Sequence, residues 1–395
     1  MVARPKIDRQ VMRAHNRAVV LDAVRRSGPL ARTEVAQRTS LAKPTVSAIV
    51  DELLAEGLVL EVGVGKSSAA GGRPPTYLDL DVTRDAYVGV HIGVYETTVA
   101  IADGRGTIVA QRSRKSATGS PTRSLEHVAA LLDDALAEAD VARRTIRHAT
   151  IAVPGLVDRE TGVCVLAPNL GWTDVPVAKL FGDALRIPVT VWNTPHASAF
   201  AEARMGAARD VDTFVWLYVG PGVGSAIVQD GALVTGTRGF AGEIGHCRVA
   251  DDGPRCHCGK YGCLEMYTSA GAIADAAKEA GVPSRRRTPT FDDVVRAARE
   301  GHEGARRVLD DAGHMLGLGS SYLVSILNPE LVVVGGEAAD AFDFLLDPLR
   351  GALAQDALEA EQVPVVASGV VGDAGVAGAV LLAFEAGVAS AEVDA

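Results

Sequence analysis

Residues 239–267 read GFAGEIGHCRVADDGPRCHCGKYGCLEMY, and four of the protein's five cysteines fall there: Cys247, Cys256, Cys258 and Cys263. Two histidines, His246 and His257, lie among them, and two carboxylates, Glu243 and Glu265, bracket the group. Three thiols spaced C-x-C-x4-C with a nearby histidine can supply the four ligands of a tetrahedral metal ion. Gly259 and Gly262 allow the tight turns that bring such thiolates to face one ion. A disulfide framework would need an oxidising compartment, and unrelated buried thiols would be scattered. The spacing therefore predicts a structural Zn2+ site with Cys256, Cys258 and Cys263 at its core and His246, Cys247 or His257 as the fourth ligand. Carboxylates this close to a structural metal imply that the ion props up a polar pocket.

The elements that must position this stretch belong to a chain of 395 residues, long enough for two or three domains. A hydrophobic content of 48% with 42 glycines fits an α/β protein with many tight turns. No apolar run approaches the ~20 residues of a membrane-spanning helix, so no membrane partner is expected. The basic start MVARPKIDRQ lacks the apolar core of a secretory signal, and a cytoplasmic location is expected. Charge is uneven. The first 80 residues carry 12 Lys and Arg against 8 Asp and Glu, while the whole chain carries a net charge of −10. A basic head on an acidic body points the head toward a polyanion.

That head has a recognisable order. Residues 16–26 place Val19, Val20, Ala23 and Val24 on one helical face, and Ser27-Gly28-Pro29 ends the run. Thr33 is a candidate N-cap for a short helix over 34–38. Pro44 suits the first turn of a third helix over 43–56, which Gly57 ends. Residues 58–62 and 77–80 read as two strands joined by a Gly/Ser/Ala loop and Gly71-Gly72-Arg73-Pro74-Pro75. Helix, short helix, turn, helix and two-stranded wing make a winged helix-turn-helix over residues 1–80. Its third helix would meet base edges in double-stranded DNA with Lys43, Thr45 and Ser47. Lys66 and Arg73 on the wing would reach phosphates or a minor groove.

From Asp81 the pattern changes to alternating strands and helices. Residues 87–94 and 97–103 predict a hairpin followed by a third strand near Ile108, and a glycine-marked hairpin recurs at 213–229. A layout used twice is that of an actin-like (ribonuclease H-like) body with a cleft between two lobes. Here it would divide as about 81–194 plus a C-terminal helix 378–395, and about 195–377.

Over nearly its full length the chain resembles the ROK family of repressors, open reading frames and sugar kinases. The matching segments are Pro168-Asn169-Leu170-Gly171-Trp172, Ala241-Gly242-Glu243-Ile244-Gly245-His246, and Cys256 to Glu265 (CHCGKYGCLE). Asn328-Pro329-Glu330 ahead of Gly335-Gly336 also fits, and the winged head resembles the regulator branch. The resemblance implies zinc ligands His246, Cys256, Cys258 and Cys263, with Cys247 and His257 as bystanders. It implies a sugar site of Asn193, Glu243, His246 and Glu265, with Asn169 as a further candidate. Carboxylates and amides are the fixed polar groups that sugar hydroxyls need.

The departures from the kinases of that family are as informative. Their catalytic Asp would follow Asn193, where this chain has Thr194, and a threonine hydroxyl is no general base near neutral pH. Their first phosphate loop begins Asp-x-Gly-x-Thr, where this chain reads His91-Ile92-Gly93-Val94-Tyr95. In the second loop, Gly220-Pro221-Gly222-Val223-Gly224, a proline removes a backbone donor. All three losses fall on phosphoryl transfer. The expected protein is a non-enzymatic, sugar-responsive regulator, a repressor of carbohydrate-metabolism genes. As a homodimer or tetramer it would set two heads on a palindromic operator. The alternative is an ATP-dependent, glucokinase-like sugar kinase carrying a DNA-binding head, and position 194 discriminates the two.

Overall fold

The structure, a computed structural model, describes residues 9–64, 75–142 and 145–393. In the head, α1 (Arg9–Ser27) buries Val20 and Val24. A two-residue strand, β1 (Leu30–Ala31), leads into α2 (Arg32–Thr39). That helix starts before the expected cap: Ala31 is the N-cap, its N–H donates to the Glu34 carboxylate at 2.7 Å, and Thr33 sits within the first turn. In α3 (Lys43–Ala55) Pro44 occupies the first turn, and Val46, Ile49, Val50 and Leu53 form the buried stripe. The wing is the antiparallel pair β2 (Val59–Val64) and β3 (Thr76–Leu80), with β1 on the outer edge of β3. Of the residues expected to contact DNA, Lys66 and Arg73 lie outside the described residues.

The body opens with β4 (Ala86–Ile92), β5 (Glu96–Ala102) and β6 (Ile108–Lys115), an antiparallel meander, then α4 (Pro121–Ala139) and β7 (Ile146–Val153). A small antiparallel sheet follows, made of β8 (Leu156–Asp158), β9 (Val163–Ala167) and β10 (Trp172–Val175). Its strands of three to five residues carry no long apolar alternation, and it does not stand out in the sequence. After α5 (Val177–Leu185), β11 (Val189–Asn193) completes a sheet of order β11-β7-β4-β5-β6, with β7 parallel to both β4 and β11. Then α6 (Thr194–Met205) leads to the second half.

There β12 (Phe214–Val219), β13 (Val223–Gln229) and β14 (Ala232–Val234) again form an antiparallel meander. The cysteine-rich loop, α7 (Glu265–Thr268), α8 (Ala270–Glu279), α9 (Phe291–Arg299) and α10 (Glu303–Leu327) precede β15 (Leu331–Gly336). Next come α11 (Phe342–Asp356), β16 (Val365–Ala367) and α12 (Ala374–Val393). The sheet order is β14-β13-β12-β15-β16, with β15 parallel to β12 and β16: the layout of the first sheet, repeated. This is a mixed α/β, actin-like (ribonuclease H-like) body behind a winged helix-turn-helix head.

Alternation along each first strand divides its side chains between two cores. Val88, Val90 and Ile92 face the α4–α5 side, and Tyr87 packs with Val376 and Val380 of α12. Val215 and Leu217 face α8–α11, and Phe214 and Trp216 face Ala199 of α6. The helices α6 and α12 thus lie between the sheets and pack on one another. Their approach is close enough that a Cβ on Gly378 would collide with the Ala197 carbonyl. The last helix begins at Ala374, ahead of the expected 378, because the Asp373 carboxylate accepts the Val376 N–H at 3.1 Å and caps it. Near its other end Phe384 meets the head, with the Arg25 guanidinium 5.7 Å above its ring. An Arg105–Asp79 ion pair and a hydrogen bond from Arg84 to the Glu56 carbonyl complete that junction.

Filling the contact at Gly378 is expected to be costly. Gly378→Ala should lower the free energy of unfolding by about 1–3 kcal/mol, the range for overpacking. Gly271→Ala, in α8 where a Cβ meets nothing within 4 Å, should be neutral or mildly stabilising. Denaturant titration of both variants checks the pair, and equal losses would contradict the packing described.

Candidate functional site

Glycines shape the cysteine-rich loop. Gly259 and Gly262 sit at φ of 89° and 67°, which side-chain-bearing residues rarely adopt. The turn is closed by Gly259 N–H to the Cys256 carbonyl at 2.9 Å and Cys256 N–H to the Lys260 carbonyl at 2.8 Å. Leu264 N–H donates to the Cys247 carbonyl at 2.9 Å, which pins the loop to the 3-10 turn Ile244–His246. The ligand atoms of His246, Cys256, Cys258 and Cys263 consequently lie within 4.8 Å of one another. His246 Nδ1 is 3.7 Å from Cys256 Sγ, and the sulfurs of Cys258 and Cys263 are 3.7 Å apart. A tetrahedral ion with metal–sulfur bonds of ~2.3 Å would separate its sulfurs by about 3.8 Å, so the donor set fits one ion. Burial pushes the thiols of Cys256 and Cys263 up, a cost that a divalent cation reverses by taking thiolates. Cys247 is exposed and outside the cluster, and His257 is not a member either.

Beside this cluster is a cavity that is partly open to solvent. Asn169, Asn193, Glu243, His246 and Glu265, separated by up to 96 residues in sequence, all line it. Asn169 is in the 3-10 turn Pro168–Leu170, and Asn193 ends β11 with its Nδ2 donating to the Gly155 carbonyl at 2.7 Å. Glu243 follows Gly242, whose φ of 95° lets it lie flat on β13; a Cβ there would strike the Ser225 carbonyl. Glu265 opens α7 and accepts the Val223 N–H at 3.0 Å. Burial, together with the Glu265 carboxylate, pushes the Glu243 carboxyl up to about 7. Near neutral pH it can therefore donate as well as accept. With Nδ1 of His246 turned to the sulfurs, its Nε2 is left for the cavity.

The far wall carries groups to which the sequence assigned no binding role. His91 Nδ1 is 2.8 Å from the Asp373 carboxylate. Burial opposes a charge on this imidazole, yet the charge and hydrogen bond of Asp373 leave its pKa raised. The carboxyl of Asp373 is lowered by the same partner, against the pull of burial. Tyr218 also lines the wall, and burial together with Glu337 and Asp373 raises its hydroxyl pKa. Two loop N–H groups are spent internally: Gly220 donates to the Gly222 carbonyl at 2.9 Å and Gly93 to the Glu96 carbonyl at 3.0 Å. Thr194, 2% exposed, lines the cavity with an Oγ1 that has no hydrogen-bond partner. His257, outside the metal cluster, nonetheless joins the cavity lining. Its place there depends on a turn whose direction the sequence does not reveal.

One further histidine acts from behind the wall. His196, on α6 and 1% exposed, donates through Nε2 to the Ala241 carbonyl at 3.0 Å, and so tethers the segment leading into Glu243. It stands edge-on to Trp192, over which the Arg159 guanidinium stacks at 3.4 Å.

A family model described as "ROK family" matches residues 87–386, and one described as "MarR family" matches residues 15–69. The chain is 31% identical over 352 residues to the "Xylose repressor" of Caldicellulosiruptor bescii, covering 86% of this chain and 87% of that protein. Its structure superposes on that of a ROK family transcriptional regulator, a homologue of the E. coli MLC protein, with TM-score 0.79 and 25% identity, covering 97% and 99% of the two chains. A ROK family glucokinase from Streptomyces griseus in complex with glucose and AMPPNP gives TM-score 0.69 and 27% identity, covering 76% of this chain and 99% of that one.

The His196 tether has a pH signature. Burial pulls this imidazole down to about 4 in the folded chain, against the raising effect of the Ala241 carbonyl, whereas an unfolded histidine titrates near 6.5. The unfolded state binds the extra proton between these values, so stability is lost as pH falls from about 6.5 toward 4. The gap in unfolding free energy between wild type and His196→Gln should therefore narrow over that window, by on the order of 3 kcal/mol at the limit. Urea titrations at several pH values check this, and a constant gap would contradict a neutral buried His196.

Proposed function

The chain belongs to the ROK family, and we propose that it is a sugar-responsive, DNA-binding transcriptional repressor of carbohydrate-metabolism genes whose kinase-like body holds a sugar without phosphorylating it. One observation carries the reading. A winged head is joined to a cavity lined by amides and carboxylates, and the position that would hold a general base is Thr194. The repressor name of the Caldicellulosiruptor bescii relative agrees with it.

The head comprises residues 1–80 and the body residues 81–395. The first lobe runs over about 81–194 and takes in the C-terminal helix, whose expected start at 378 moves back to Ala374. The second lobe, expected over about 195–377, accordingly covers about 195–373. Lys43, Thr45 and Ser47 stand at the N-terminal end of α3, with Lys43 exposed, and read base edges in the major groove. Lys66 and Arg73, in the sequence between β2 and β3 and outside the described residues, are further candidates for the contact. A homodimer or tetramer sets two heads on a palindromic operator. A repressor that reads the operator works in the cytoplasm. No helix among the described residues is long and apolar enough to cross a membrane.

In the body, His246, Cys256, Cys258 and Cys263 would hold a structural Zn2+, which supplies cross-linking of the loop rather than reaction chemistry. The clamped loop fixes Glu243, His246 and Glu265, while Asn169 and Asn193 face them from the other lobe. Together they take sugar hydroxyls as donors and acceptors. Phosphoryl transfer lacks its parts: there is no carboxylate at 194, and Pro221 and the internally bonded Gly93 and Gly220 leave few backbone donors for phosphate. Sugar alters DNA binding only if it favours one arrangement of lobes and heads over another. The helix α12, capped by Asp373, whose carboxylate pairs with His91 of the cavity lining, meets Arg25 of the head through Phe384 and connects the two.

Footprinting and gel shift on the chain's own upstream region test the reading. Protection of a two-fold sequence whose affinity changes with sugar is expected; absence of sequence-specific binding under every sugar condition would refute it. Lys43→Ala should weaken operator binding while leaving sugar affinity of the full chain unchanged. Cys258→Ser should lower bound zinc and stability together, because metal binding is coupled to folding. Elemental analysis of well-folded wild type returning well under about one zinc per chain would count against the site.

A further inference from the structure

Thr194 poses a chemical problem that the unliganded fold does not solve. It is the first residue of α6, yet the N-cap is Asn193, and the Thr194 hydroxyl caps nothing. Its Oγ1 is buried, lines the cavity and has no hydrogen-bond partner. An unsatisfied buried hydroxyl costs about 1–3 kcal/mol, and an apolar side chain of the same shape would avoid that cost. A ligand hydroxyl would satisfy it.

The charges around the cavity set the kind of ligand. Among the described residues that line it none is Lys or Arg, and its carboxylates are Glu243 and Glu265. On the far wall the imidazole of His91 is already engaged by Asp373. Three backbone donors of the lining are engaged too: Val223 N–H by Glu265, Gly220 N–H by Gly222 and Gly93 N–H by Glu96. At the start of α6 Pro195 removes one of the free helix N–H groups. A divalent ion on three thiolates and an imidazole carries a net negative charge and adds no anion site. A dianionic phosphate ester placed here would face Glu243 and Glu265 with no Lys or Arg among the described lining residues, and with His257 as the lining imidazole neither paired to Asp373 nor in the metal cluster.

We propose that the cavity selects a neutral sugar over its phosphate ester, and that the Thr194 hydroxyl is a direct, specificity-determining contact to one of that sugar's hydroxyls. This rests on the sugar-binding reading above. It adds the charge class of the effector and assigns a binding role to a residue at which the kinase resemblance registers only a loss.

Isothermal titration of the zinc-loaded full chain at pH 7.5 against D-xylose, D-glucose, N-acetyl-D-glucosamine and the 6-phosphates of the last two tests it. At least one neutral sugar should bind, and the 6-phosphates should bind about 100-fold more weakly than that sugar, or not at all. Thr194→Val should weaken the neutral sugar by about 5–30-fold, the worth of one hydrogen bond in a buried site, and Thr194→Ser should restore most of it. Thr194→Val should also leave the unliganded melting temperature unchanged or raised, which separates a binding role from a structural one. A 6-phosphate that binds as tightly as the best neutral sugar, or a Thr194→Val affinity within about twofold of wild type, would overturn this inference alone. Binding of none of the five compounds would overturn the sugar-site reading along with it.

Discussion

The crossing of α6 and α12 is the contact on which the body depends. Gly378 brings the two backbones together against Ala197, and each helix carries the apolar face of one sheet. Thr194 of α6 lines the cavity, and Asp373, which caps α12, pairs with the lining residue His91. A change in how the cavity is filled would bear on the N-termini of the two helices that pack between the sheets. Because α12 runs on to Phe384 beneath Arg25, the head rests on the far end of the same helix. Close-packed helices of this kind shift as rigid bodies rather than deform.

The metal cluster solves a different problem. The loop that carries two nearby carboxylates and a histidine to a partly open cavity is anchored in the core at Ile244 and Leu264, with a polar, glycine-bearing turn between them. Cross-linking that turn through His246, Cys256, Cys258 and Cys263 would hold what the core does not reach. Glu243 can then be held buried and beside Glu265, so that it keeps its proton near neutral pH. The opposite wall is stiffened by ionic and aromatic groups, the His91–Asp373 pair and Tyr218, in the half of the cleft where phosphate would have to sit. The two walls thus favour a polyhydroxylated, uncharged occupant.

Much of this was legible in the sequence because the signals are local. The C-x-C-x4-C spacing, the amphipathic stripe of α3, the wing and the paired hairpins all depend on residues a few positions apart. Even the misplaced cap of α2 is a local matter, decided by Glu34 reaching back to Ala31. What was not legible is what the fold assembles from afar. The His91–Asp373 pair spans 282 positions, and His257 enters the cavity only because of how the metal loop turns. The short strands β8–β10 take their stability from packing rather than propensity. The orphaned hydroxyl of Thr194 is a property of its surroundings; the sequence records only that a carboxylate is missing.

The account turns on a kinase-shaped cleft that holds sugar without transferring phosphate to it. ADP production by the zinc-loaded full chain, supplied with ATP, Mg2+ and a sugar shown by calorimetry to bind, tests that claim most directly. The account predicts no ADP above the sugar-free background. Sugar-dependent turnover that disappears in Glu243→Ala would contradict it and return the protein to the kinases.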